Sequence, residues 1–164
     1  MSSRLAVLVL ALALAGCGFR LRGTAEVPFQ TLYVPNATSG IALDLKRNIQ
    51  AGTHARVVDD PKGADAVMQF TEESRSKEIL SLTAQGRVRE FQLRYRVGFR
   101  VHDGKGREFV PASTIQLTRD VTFNDTEILA KEQEEQLLFR DMQTDMVQLI
   151  MRRLAAAKPA KATE

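Results

Sequence analysis

Five arginines, Arg87, Arg89, Arg94, Arg96 and Arg100, fall within one short stretch of this 164-residue chain. Guanidinium groups gathered in this way suit phosphate or carboxylate ligands, which they grip through paired, charge-assisted hydrogen bonds. Arg94, Arg96 and Arg100 alternate with Phe91, Leu93, Tyr95, Val97, Phe99 and Val101. That period of two puts arginine on one face of a strand and apolar side chains on the other. A solvated outer face of an antiparallel sheet produces the same pattern, so both readings of Arg94, Arg96 and Arg100 stand at this point. Catalysis has less to draw on. His54 and His102 lack a second histidine, a cysteine or a carboxylate at metal-ligand spacing, and the chain has no glycine-rich phosphate loop or nucleophile elbow. The adjacent acids Asp59-Asp60, Glu72-Glu73 and Glu134-Glu135 point in different directions on any regular element, so none makes an acid–base pair alone. Ser81, Ser113 and Thr114 have no evident base to activate them. A binding protein without catalytic residues, metal or cofactor is the expectation.

The remaining reactive group is Cys17, the only cysteine. It follows a short n-region with Arg4 and an apolar run from Leu5 to Ala15, the order of a secretory signal and too short for a membrane span. Leu14-Ala15-Gly16-Cys17 resembles a bacterial lipoprotein box, which implies that residues 1–16 are a signal peptide and that Cys17 becomes a lipidated N-terminus. Removing residues 1–16 and Arg4 with them leaves 148 residues and a side-chain balance of +2. That length is one domain, and that charge is too small to drive nucleic-acid binding. With its one thiol acylated the chain makes no disulfide, so the hydrophobic core must suffice.

The elements that must carry these groups are legible. Residues 17–28 read as a lipidated tether and 29–154 as a single α+β domain. Thr31 to Val34 is a short strand stopped by Pro35-Asn36. Ile41, Leu45 and Ile49 recur at four-residue steps, which predicts an amphipathic helix started at Ser39 and ended at Gly52. Val57-Val58 reads as an apolar pair running into a turn, and Ala66 to Phe70 opens the next strand. That strand is the first of three long ones of about fifteen residues each, joined at Gln85-Gly86 and at Asp103-Gly104-Lys105-Gly106. A helix from about Thr126 to Leu154 carries an apolar stripe of Leu138, Met142, Met146, Leu149, Ile150 and Leu154. Residues 155–164 read as a disordered tail. Together these predict a two-layer sandwich, two helices on one face of a four-stranded, mostly antiparallel sheet.

Two short segments carry a family resemblance. Cys17-Gly18-Phe19-Arg20-Leu21-Arg22 is similar to the opening of the mature LptE lipoproteins, and Phe123-Asn124-Asp125 with Leu129-Ala130-Lys131-Glu132 is similar to that family's link into its last helix. The resemblance implies a non-enzymatic outer-membrane subunit, lipid-anchored on the periplasmic side, that plugs the lumen of the LptD β-barrel and binds lipopolysaccharide. It implies a lipopolysaccharide-binding role for Lys131, through the Leu-Ala-Lys match. Where the family pattern can carry an arginine before the hairpin turn, this chain has Ala84-Gln85, and Arg87 or Arg89 is expected to supply that charge instead. Gly18 after the cysteine fits sorting to the outer membrane. A periplasmic lipoprotein binding another anionic envelope ligand, peptidoglycan or phospholipid, is the alternative.

Overall fold

The computed structural model describes residues 26–158, so Cys17 and the signal-like segment lie outside the described residues. Five strands, β1 (Thr31–Tyr33), β2 (Arg56–Val58), β3 (Ala66–Leu82), β4 (Val88–His102) and β5 (Glu108–Thr122), form one sheet in the order β2-β1-β3-β4-β5. Two helices, α1 (Gly40–Gly52) and α2 (Ile128–Ala155), complete the α+β fold. The expected sheet had four strands, mostly antiparallel; the observed one has five and is mixed. Arg56-Val57-Val58 is the added strand, parallel to β1 across the α1 crossover. At three residues it is too short to show a period of two, which is why it reads as a turn approach in sequence. β1 also pairs in parallel with the start of β3, through Ala66 and Val67 only. Beyond Val67, β3 has a neighbour on one side alone, the antiparallel β4.

The three long strands have 17, 15 and 15 residues and form an antiparallel meander. In β4 the apolar set sits as the period requires: Leu93, Tyr95, Val97, Phe99 and Val101 are fully buried. Ile41, Leu45 and Ile49 of α1 and Met142, Met146, Ile150 and Leu154 of α2 join them in one core. The Ser39 side chain makes no capping bond; its carbonyl accepts from the Leu43 amide at 3.3 Å. Gly104 and Gly106 turn the β4–β5 hairpin with φ of 73° and 100°, a backbone that disfavours other residues. α2 runs to Ala155, and Ala157 packs on the core.

β3 changes face partway along. Phe70 pairs with Phe99 and Glu72 with Gly98, so Thr71 is an extra residue, a β-bulge. Before the bulge the even-numbered Met68 and Phe70 pair with core-facing residues; after it the odd-numbered Glu73, Arg75 and Lys77 pair with Val97, Tyr95 and Leu93. The bulge packs on Gly98, where a Cβ would lie 2.5 Å from Thr71 Oγ1 and 3.3 Å from Glu72 Cβ. Gly98→Ala is therefore expected to destabilise the fold by about 1–3 kcal/mol, the usual cost of overpacking. Gly63→Ala, which meets nothing within 4 Å, is the control and should change little. Urea midpoints at unchanged m-value read the difference; equal midpoints for the two variants would refute the account of the bulge.

Charged side chains, rather than apolar ones, join the outer half of β3 to α2. Lys77 Nζ lies 2.6 Å from Glu135 Oε2 and 4.3 Å from the centre of the Phe91 ring. Arg75 donates to Gln143 and sits over the rings of Tyr95 and Phe139, at 4.7 and 5.7 Å. Gln143 donates onward to Asp44 Oδ2 at 2.6 Å, and Gln148 to Asn48 Oδ1 at 3.0 Å, linking the two helices. Arg119 of β5 reaches Asp145 at 2.7 Å.

Candidate functional site

The fold brings Arg87, Arg89 and Lys131 to one end of the molecule. Thr83 to Arg87 close the β3–β4 hairpin: the Thr83 amide donates to the Arg87 carbonyl at 2.7 Å and the Gly86 amide to the Thr83 carbonyl at 2.9 Å. Gly86 takes the positive φ of 77° this turn requires. Arg87 and Arg89 follow, both exposed. The Phe123 amide donates to the Arg89 carbonyl at 2.8 Å, and the Phe123 ring meets Phe91 edge-on at 5.2 Å. Those contacts bring the end of β5 back to the hairpin. A 3-10 turn, Asp125–Glu127, starts there, with the Asn124 side chain accepting from the Thr126 amide at 3.2 Å, and it delivers the first turn of α2 to the same place. Lys131 Nζ donates to Thr122 Oγ1 at 3.3 Å and to Glu134 Oε2 at 2.8 Å. Thr122 pairs with Glu90, so Lys131 is held within one register position of Arg89.

Apolar side chains crowd the same end and are left in water. Ile79, Leu80 and Leu82 of β3 are 59, 46 and 54% exposed, and Ile128 and Leu129 of α2 are 50 and 76% exposed. Register shifts between Ile79 and Ser81 and between Ser81 and Leu82 twist the strand at this point, and the Ser81 hydroxyl donates to Glu90. Bulges re-aim side chains, which accounts for three exposed aliphatics within four residues. Large apolar side chains left exposed together at one end mark a candidate interaction site. Cations beside it select an amphiphile that carries anionic groups next to hydrocarbon. Sequence reading did not find the apolar half, because Ile79-Leu80-Ser81-Leu82 looks like strand core until the bulges are seen.

The open face of the sheet differs from a free bank of arginines. Arg94 Nη1 lies 2.8 Å from Glu78 Oε1, and Arg96 lies 3.7 Å from Glu72 Oε1 and donates to Gln116 Oε1 at 2.8 Å. Arg100 donates to Gln69 Oε1 at 2.7 Å, and Gln92 to Asp120 Oδ1 at 3.0 Å. The acids come from β3, some twenty residues away in sequence, where linear neighbours do not reveal them. The face is a ladder of mutually bonded polar groups.

At the opposite end of the sheet the chain enters the domain. Glu26 to Gln30 line a cleft of about 910 Å³ with His54, Asp65, Asp103, Lys105, Arg107 and Phe109. Asp65 accepts from the amides of Gln30 and Thr31 at 3.1 and 2.9 Å, and hydrogen bonding with Thr31 lowers its pKa. The bond from Arg107, with the Lys105 amide, holds Asp103 at about 2. His102 Nδ1 accepts from the Gly104 amide at 3.0 Å and belongs to the turn. Among the described residues no group of three or more histidines, cysteines or carboxylates could hold a metal ion.

The chain is 43% identical to lipoprotein B of Nitrosomonas europaea, whose solution structure it matches with a TM-score of 0.72 over 85% of this chain and 91% of that one. A minor lipoprotein of Acinetobacter baumannii, 23% identical, shares the fold with a TM-score of 0.66 over 85% of this chain and all of that one. The LPS-assembly lipoprotein LptE of Yersinia pestis (strain Pestoides F) is 30% identical over 168 residues, covering 98% of this chain and 80% of the relative. The lipopolysaccharide-assembly family LptE matches residues 29–154, from Phe29 at the entry to β1 through Leu154 in the last turn of α2, and the chain belongs to that family.

Proposed function

We propose that this chain is the lipid-anchored LptE subunit of the outer-membrane lipopolysaccharide translocon. In this role it plugs the LptD β-barrel from the periplasmic side, assists the assembly of that barrel, and binds lipopolysaccharide at its tip for insertion at the cell surface. An acyl anchor on Cys17 holds it to the membrane, and the protein acts without catalysis. The observation that carries the reading is the meeting of Arg87, Arg89 and Lys131 with exposed Ile79, Leu80, Leu82, Ile128 and Leu129. Lipid A presents phosphates beside acyl chains, the two chemistries that this end of the molecule brings together. The polar, internally bonded sheet face supports the plug role, since a barrel lumen is itself lined by polar groups. No described helix is long and apolar enough to cross a membrane.

A C-terminally tagged protein extracted from outer membranes in mild detergent is expected to bring down a large β-barrel protein at near-equal stoichiometry. Recovery of the tagged protein alone would overturn the plug role.

A further inference from the structure

Most of the described cations along the sheet and helices have acid or amide partners; of the eight with none, Arg89 stands at the hairpin tip, Arg140 on α2, and the other six at the end where the chain enters. Arg56, Lys62, Lys105, Arg152, Arg153 and Lys158 are all exposed, and none has a side-chain partner among the described residues. All six lie at the end where the chain enters. Arg56 pairs with Thr31 at the start of β1, and its amide donates to Gln30. Lys62 lies in the turn leading to Ala64 and Asp65, which line the entry cleft with Lys105. Arg153 and Lys158 border a second cleft, of about 490 Å³, with Phe109 and Pro111 at the start of β5. Arg152 sits beside them in the last turn of α2. The acids at this end are fewer: Asp59 is paired with Lys46 and Asp103 with Arg107, which leaves Glu26, Asp60, Asp65 and Glu108 against the six cations.

We propose that this end of the molecule is a seat for the anionic phospholipid headgroups of the leaflet that receives the Cys17 lipid, an inference that rests on the lipid anchor proposed above. Cys17 precedes Glu26 by nine residues, at most about 30 Å of extended chain. An anchored domain therefore stays close enough to a membrane surface for exposed cations to feel its charge, each worth about fivefold in binding.

The test uses the mature chain with Cys17→Ser, so that no lipid masks the protein's own affinity, on phosphatidylcholine vesicles with and without phosphatidylglycerol. Binding is expected only with phosphatidylglycerol and should weaken with salt. Arg152→Gln/Arg153→Gln/Lys158→Gln is expected to reduce it by about 100-fold. Arg94→Gln/Arg96→Gln/Arg100→Gln, the same loss of charge from the open sheet face, should stay within about twofold, with circular dichroism confirming that both variants fold. Equal binding to neutral vesicles, or equal loss in the two variants, would overturn the seat. Mass spectrometry of the wild-type mature protein reads the Cys17 lipid separately, so failure of the anchor and failure of the seat are distinct results.

Discussion

Reversing the three tip charges, in the combined variant Arg87→Glu, Arg89→Glu and Lys131→Glu, is expected to weaken lipopolysaccharide binding by the purified protein about 100-fold or more. A hydrogen bond to a charged group contributes about 1.5–3 kcal/mol, so losing two of the three already gives that factor. Reversal adds repulsion from each phosphate. The fold should be nearly unaffected. All three residues lie on the hairpin or the first turns of α2, and the Lys131–Glu134 pair is an exposed ion pair of a kind worth under about 1 kcal/mol. A light-scattering or calorimetric titration with lipopolysaccharide reads the loss. Unchanged affinity in a variant with an unchanged thermal midpoint would remove the tip from the binding reaction.

The second large effect is expected at Tyr95. Its side chain is fully buried at the centre of β4, its hydroxyl donates to Glu73 Oε1 at 2.8 Å, and Arg75 lies over its ring. Tyr95→Ala removes a whole aromatic from a packed core and should cost about 3–5 kcal/mol, a large share of the 5–15 kcal/mol of a typical domain. Tyr95→Phe isolates the hydroxyl and should cost about 1 kcal/mol near neutral pH. The hydroxyl also sets a pH dependence. Burial, reinforced by the bond to Glu73, pushes the Tyr95 pKa well up in the folded protein. The unfolded chain releases that proton near pH 10. Stability from this group is thus fully present below about pH 10 and is lost as pH climbs above it toward the folded value. Urea midpoints on both sides of that pH should fall for the wild type and fall less for Tyr95→Phe. An equal alkaline decline in both would show that Tyr95 is not the titrating group.

How much of this was legible in the chain depended on whether a signal is local. The alternation from Phe91 to Val101 fixes the buried face of β4, and the glycines at 86, 104 and 106 mark both hairpins, because each cue lies within a few neighbouring residues. The α2 stripe is equally local, and Met142, Met146, Ile150 and Leu154 are buried as their spacing requires. β2 escaped notice because three residues cannot display a period. β3 was legible as a long strand ending before Gln85-Gly86, but its inward face only as far as Phe70: the Thr71 bulge shifts the parity, and the residues it then turns toward α2 are Glu73, Arg75 and Lys77, which no hydrophobic pattern would assign to a helix-facing side. The bonding of the arginine face is hidden in the sequence for a related reason. Glu72 and Glu78 become neighbours of Arg96 and Arg94 only through cross-strand register, which sequence distance conceals. At the site, Lys131 and the hairpin arginines could be proposed from sequence, but their meeting depends on Phe123 returning to Arg89.

The length of β3 has a consequence for scale. Seventeen residues of extended strand reach about 55 Å, whereas a bilayer measures about 30 Å across its hydrocarbon and about 45 Å with its headgroups. A molecule standing upright with its entry end among the inner headgroups would carry Ile79, Leu82 and Arg87 level with, or slightly past, the outer ones. The strand is long enough to act as a ruler between the two surfaces of the membrane: under the proposed anchor and tip site, the two ends would face different leaflets without any part of the chain having to move.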